Sequence, residues 1–155
     1  MDIFMCEYAT GNSVVIELKL FNILGLYNGT KGGSYENYPP HEKLLKLNDE
    51  LKLESEETLF KRNYKYWCKD GRKYQEVNVR DYLNNGFEQL KRYVNALMSG
   101  KANHGDKKIG ILDDRITAVE GISYLKGILI SSFGSHRILV KETSVVKIDY
   151  QYYIK

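Results

Sequence analysis

The apolar positions along the chain change their period several times, and each change marks an element. Residues 2–8 (Asp-Ile-Phe-Met-Cys-Glu-Tyr) and 14–20 (Val-Val-Ile-Glu-Leu-Lys-Leu) are short apolar runs joined by Ala-Thr-Gly-Asn-Ser. That pattern predicts two strands in a hairpin. In the second strand a two-residue repeat puts Val14, Ile16 and Leu18 on one face and Val15, Glu17 and Lys19 on the other. Residues 21–40 are rich in Gly, Asn and Tyr and close on Pro39-Pro40, so they read as a long loop. From Glu42 to Leu53 the leucines at 44, 45, 47 and 51 recur at roughly helical spacing. Ser55 ahead of Glu56 and Glu57 suits the start of a further short helix, and 64–79 reads as a hairpin around Asp70-Gly71.

The clearest helix runs over Val79–Ser99, with Asn78 as its cap and Gly100 as its stop. At about 100° per residue, Phe87, Leu90, Val94, Leu97 and Met98 form one apolar stripe that would pack on a sheet. A loop over 101–108 follows, then strands at Lys108–Leu112, Leu125–Phe133 and His136–Glu142, the last two divided by Gly134-Ser135. The order of strand, strand, inserted helices, long helix and further strands predicts an α/β domain with a mixed sheet. At 155 residues the chain fits a single domain, with an insert over about residues 21–78.

Composition narrows the class. The chain is 43% hydrophobic and 28% charged, an ordinary globular balance, and no apolar stretch approaches the ~20 residues of a membrane span. Two cysteines, Cys6 and Cys68, cannot make a disulfide framework, and no secretory signal opens the chain. An intracellular, reducing compartment (cytoplasm or nucleus) is the expectation. The net charge of +3 is mild, but its distribution is uneven. Between Lys61 and Arg80, Lys61, Arg62, Lys65, Lys69, Arg72, Lys73 and Arg80 face only Asp70 and Glu76, and Tyr64, Tyr66, Trp67 and Tyr74 lie among them. Basic side chains interleaved with aromatics suit backbone phosphates and stacked bases. The plain alternative is a solvated hairpin whose aromatics pack on the core.

Glu17 and Lys19, spaced i, i+2, leave one strand on the same side. Asp2 on the neighbouring strand can reach the same point, and Leu18 can lend its carbonyl oxygen. Hydrolysis of a phosphodiester needs a metal to neutralise developing charge and activate water, and magnesium takes oxygen ligands while keeping several waters. Lys19, a compact cation with three donors, would orient the water or stabilise negative charge. Gln89 and Tyr93, spaced i, i+4, stack beside the apolar stripe of the long helix. Taken singly, Glu-x-Lys also fits a solvent-facing strand, and Gln-x-x-x-Tyr an ordinary amphipathic helix.

Asp2, a short hairpin and the run Val-Val-Ile-Glu17-Leu18-Lys19 resemble the (D)…(D/E)-x-K signature of the PD-(D/E)XK nuclease superfamily. The run Gln89-Leu-Lys-Arg-Tyr93 resembles the Q-x-x-x-Y motif of several of its branches, including helicase–nuclease exonuclease domains. More closely, the chain resembles uncharacterised nuclease-like domains that often sit behind an AAA-ATPase-like domain in fungi and bacteria. The resemblance covers roughly residues 2–20 and 64–142. It implies a restriction-endonuclease-like mixed central sheet flanked by helices, with a helical and hairpin insert. It also implies a Mg2+ (or Mn2+) nuclease acting on nucleic acid, DNA first. Asp2, Glu17 and the Leu18 carbonyl would hold the metal, while Lys19, Glu17, Gln89 and Tyr93 would be catalytic. Family members carry a helix and a strand before that Asp, so a chain starting there reads as a fragment lacking the first helix. The alternative is a non-catalytic nucleic-acid- or protein-binding module, a degenerate or truncated nuclease fold; an inert remnant would expose apolar surface.

Other residues carry less. His41, His104 and His136 are scattered without zinc-ligand spacing and read as structural or exposed. Cys6 reads as a small core residue, and Asp113-Asp114-Arg115 as a turn with a salt bridge in preference to a further acidic ligand. Gly29, Gly32 and Gly33 make no phosphate loop, since no Gly-Lys-Ser/Thr follows. Lys91, Arg92 and Arg137 fit phosphate contacts or plain surface charges. Tyr150, Tyr152 and Tyr153 would cover a partner or end a strand.

Overall fold

Strand β2 (Ser13–Phe21) pairs antiparallel with β1 (Ile3–Cys6), Ile3 opposite Ile16 and Cys6 opposite Ser13, as the hairpin pattern predicts. The structure is a computed structural model that describes residues 3–31, 39–100 and 116–154. Asp2, His104, the Asp113-Asp114 pair and the expected strand at 108–112 lie outside the described residues. The sheet order is β1-β2-β5-β6, with β7 (Val146–Ile154) also on β5. Strand β5 (Ile116–Phe133) is 18 residues long, so it starts well before the expected Leu125 and pairs with β7 from Ile116 opposite Ile154 to Leu125 opposite Val146. Strand β6 (Arg137–Glu142) lies where expected. Together with its helices this makes a mixed α/β chain whose central sheet is flanked by helices.

Segment 21–40 departs from the expected loop. Ile23–Lys31 is helix α1, opened by Asn22, whose Oδ1 accepts from the Gly25 N–H at 2.6 Å. The glycines that suggested a loop have a different use. Gly25 and Gly29 are one turn apart, and a Cβ on Gly25 would sit 2.5 Å from the Lys65 carbonyl oxygen. A Cβ on Gly29 would sit 2.2 Å from that of Asn63. The helix therefore lies backbone to backbone against β3 (Asn63–Cys68), which only glycine allows. Helices α2 (His41–Leu53) and α3 (Glu56–Lys61) follow the leucine spacing and the Ser55 cap, whose side chain accepts from Thr58 N at 3.2 Å. Strands β3 and β4 (Lys73–Asn78) form a separate two-stranded sheet. In its turn Arg72, not Gly71, takes the left-handed conformation, at φ 46°.

Helix α4 (Val79–Met98) has both expected ends: Arg80 N donates to Asn78 Oδ1 at 3.0 Å, and Gly100 turns left-handed at φ 66°. Its packed stripe is Leu90, Tyr93, Val94, Ala96 and Leu97. Leu90 and Val94 close over Gly127 of β5. Phe87 and Met98 were expected on that stripe but lie further round the helix, Phe87 half-buried and Met98 exposed. Lys141 Nζ sits 4.1 Å from the Phe87 ring centroid, so the ring's place is beside a cation.

The chain divides into two compact units, Met1–Leu18 with Gly86–Ile130 and Val140–Lys155, and Lys19–Asn85 with Ser131–Leu139. In the first, Val15, Leu90, Leu97, Leu125, Leu129, Ile148 and Tyr152 are buried. In the second, Phe21, Leu26, Leu47, Leu51, Leu59, Tyr64, Val79 and Phe133 form one cluster, with Phe21 stacked on Phe133 at 4.4 Å and edge-on to Tyr64 at 4.8 Å.

Two outcomes follow from this packing. Gly29→Ala drives a methyl into the β3 backbone, and thermal melting should fall by roughly 5–10 °C, the cost of overpacking by ~2–3 kcal/mol in a chain this size; an unchanged melt contradicts the close approach. Tyr152 donates its hydroxyl to the Leu97 carbonyl at 2.5 Å. Burial, with a smaller contribution from Tyr150, pushes its pKa from 10.0 up to about 12. The folded state thus favours the neutral phenol: the stability it contributes is complete below pH 10 and is lost as pH rises towards 12, roughly 2–3 kcal/mol in all. Tyr152→Phe should flatten the alkaline denaturation curve across that window, and an equally steep loss in the variant overturns the assignment.

Candidate functional site

The alternation of β2 decides where its charged residues go. Val15 and Phe21 are fully buried, and the side chains between them on the same side are Glu17 and Lys19. Glu17 is only 3% exposed and Lys19 is half-buried, so the solvent-facing reading of the Glu-x-Lys pair does not hold. Carboxylates are almost never buried so fully unless something compensates them, because desolvating the charge is costly. Leu18 points the opposite way and is exposed.

Helix α4 supplies the second group. Gln89 Nε2 donates to Tyr93 Oη at 2.6 Å, which is the contact their i, i+4 spacing predicts. Tyr93 is buried and Gln89 half-buried, so the pair lies further into the packed side than the edge position expected for it.

Tyr82 was not singled out in the sequence. It lies seven residues before Gln89 and eleven before Tyr93, which places all three on one stripe of α4. The Lys19 ammonium stands 6.0 Å from the Tyr82 ring centroid. The i, i+7, i+11 spacing was legible; what concealed it was that Tyr82 belongs to no known motif. Gly86, buried on the same stripe, presents no side chain.

The chain matches no family model, no curated protein and no solved structure.

Among the described residues no three His, Cys, Asp or Glu side chains group to hold a metal ion. Of the oxygen donors expected from the sequence, the Glu17 carboxylate and the Leu18 carbonyl belong to β2, and Asp2 lies outside the described residues. His41 and His136 are exposed, and Cys6 and Cys68 are free thiols, both half-buried, so Cys6 is not the core residue expected. No described helix is long and apolar enough to cross a membrane.

Several basic residues considered for phosphate contact are already engaged. Arg137 Nη1 donates to the Leu51 carbonyl at 2.9 Å and to that of Glu54, closing the C-terminal end of α2. Arg62 grips Glu54 with Nε at 2.8 Å and Nη2 at 2.8 Å from its carboxylate oxygens, an inward-facing bidentate pair. Lys91 pairs with Glu88 at 2.7 Å, and Arg92 is exposed.

Proposed function

We propose that the chain is a metal-dependent nuclease domain of the PD-(D/E)XK kind, with a restriction-endonuclease-like fold, hydrolysing phosphodiester bonds of nucleic acid, DNA in the first instance. The observation that carries this reading is the burial of Glu17, with Lys19 two residues on, on the packed side of an apolar strand. A strand that needs only to fold would place an apolar residue there. The donors suit Mg2+ or Mn2+, which are held through one or two carboxylates and keep several waters. Glu17 and the Leu18 carbonyl, with Asp2, would hold the ion. Bound there, it would neutralise charge on the phosphate and lower the pKa of a water. Lys19 would position a water and meet the negative charge that grows as its oxygen bonds to phosphorus and the P–O bond to the leaving alcohol breaks. Gln89 and Tyr93, locked together by their hydrogen bond, would hold their donors in a fixed direction for a phosphate oxygen. An intracellular setting and an AAA-ATPase-like neighbouring domain belong to the same reading.

A second reading, a non-catalytic protein-binding module, draws on a different observation. The outer face of β1 and β2 leaves Ile3, Met5 and Leu18 exposed around the half-buried Val14 and Ile16.

Cleavage of single- and double-stranded DNA and RNA separates the two readings. Glu17→Gln and Lys19→Met should each lower Mg2+-dependent cleavage by about 100-fold or more with far-ultraviolet circular dichroism unchanged, and EDTA should abolish it. Folded variants that cut at the wild-type rate sink the nuclease reading.

A further inference from the structure

The basic, aromatic segment flagged in the sequence splits in two when folded. Its inner half is part of the core: Tyr64 and Tyr66 turn inward and meet Tyr82 edge-on at 5.5 and 5.2 Å, and Tyr64 also meets Phe21. Arg62 is held by Glu54, Lys61 by Glu57 at 2.6 Å, and Arg80 lies 5.9 Å from the Phe60 ring. The outer half lies on the other face. The register Trp67↔Tyr74, Lys65↔Glu76 and Asn63↔Asn78 sets these six residues on one face of the hairpin. Trp67 is 52% and Tyr74 44% exposed, their rings 5.0 Å apart and nearly perpendicular at 72°. About half of Trp67 is thus open to solvent.

Basic residues adjoin that face in the turn. Lys69 and Arg72 are exposed there, and neither forms an ion pair with a described residue, while Lys73, opposite Cys68, leaves the other face beside Gln75. Of the two nearby acids, Asp70 lies in the turn, and Glu76 accepts from Asn63 Nδ2 at 2.8 Å. Arg72 holds a left-handed conformation that costs a non-glycine residue about 1 kcal/mol, with Gly71 as its neighbour. The turn thus places a guanidinium where folding alone would favour glycine.

We propose that the tip and outer face of the β3–β4 hairpin bind single-stranded nucleic acid. A base stacks on the exposed Trp67 ring, and the adjoining phosphates meet Lys69 and Arg72. An exposed aromatic ring with cations beside it is the chemistry of single-strand binding surfaces. A duplex hides its base faces and offers only phosphates, so it binds here more weakly. The site uses none of Glu17, Lys19, Gln89 or Tyr93 and goes beyond the catalytic reading.

Trp67 is the chain's one tryptophan, so its fluorescence reports the hairpin directly. Oligo(dT) and oligo(U) of about 15 nucleotides, within the size range of single-strand sites, are titrated into the full chain in EDTA. The expected result is saturable quenching, with log affinity falling against log salt with a slope of about −1.4, that is about −0.7 for each of two phosphates. Fluorescence anisotropy of a labelled strand should show Trp67→Ala weakened on the order of tenfold and Trp67→Phe close to wild type. Arg72→Gln should lower the salt slope by about 0.7. The stronger of the two strands identifies the sugar the surface prefers. Absence of both quenching and anisotropy change overturns the proposal, as does wild-type affinity in Trp67→Ala or equally tight binding of a duplex. Because EDTA excludes metal and Glu17→Gln should quench like wild type, loss of cleavage and loss of hairpin binding remain separable.

Discussion

The register of β2 is the constraint on which the rest depends. Along one strand of nine residues the two-residue repeat seats Val15 and Phe21 in packed interiors, and the same repeat turns Glu17 and Lys19 inward between them. A slip by one residue would exchange that set for Leu18 and Leu20, which now face out. The charged pair is therefore locked in place by its apolar neighbours. The stability of the strand and the position of its chemistry are one requirement.

Each unit is packed by its own means. Around Phe21 the support is aromatic: Phe133 stacks on it, Tyr64 and Tyr82 meet it edge-on, and the Lys19 ammonium stands over the Tyr82 ring. The glycines of α1 allow β3 to carry Tyr64 into that group at backbone contact distance. In the unit that holds Val15 the packing includes Leu90 and Val94 of α4, which close over Gly127. Tyr152 ties the end of α4 to β7 through the Leu97 carbonyl and meets Phe4 of β1 edge-on at 5.8 Å.

Where local chemistry settled the structure, the sequence could be read. The Ser55 and Asn78 caps, the Gly100 stop and the leucine spacing of α2 each act within a few residues, and those elements lie where they point. Helix α1 was hidden because Gly25 and Gly29 favour loops locally, and only the distant β3 backbone makes them an advantage. Strand β7 and the first half of β5 pair across more than twenty residues, so neither announces itself alone. Glu17, Lys19, Gln89 and Tyr93 were legible as spacings, but the burial of Glu17 and the place of Tyr82 beside Lys19 come from tertiary packing. Arg137, legible only as a charge, closes a helix end.

The central claim is that Glu17 is buried in order to hold a cation. Thermal melting with increasing Mn2+ or Mg2+ tests it most directly, since a ligand that binds only the folded chain raises its melting temperature in proportion to the logarithm of its concentration once sites are filled. Wild type should rise by a few degrees between EDTA and about 100 times the dissociation constant, an added stability of ~2.7 kcal/mol, and Glu17→Gln should not respond. No rise in wild type, or an equal rise in the variant, would contradict the account.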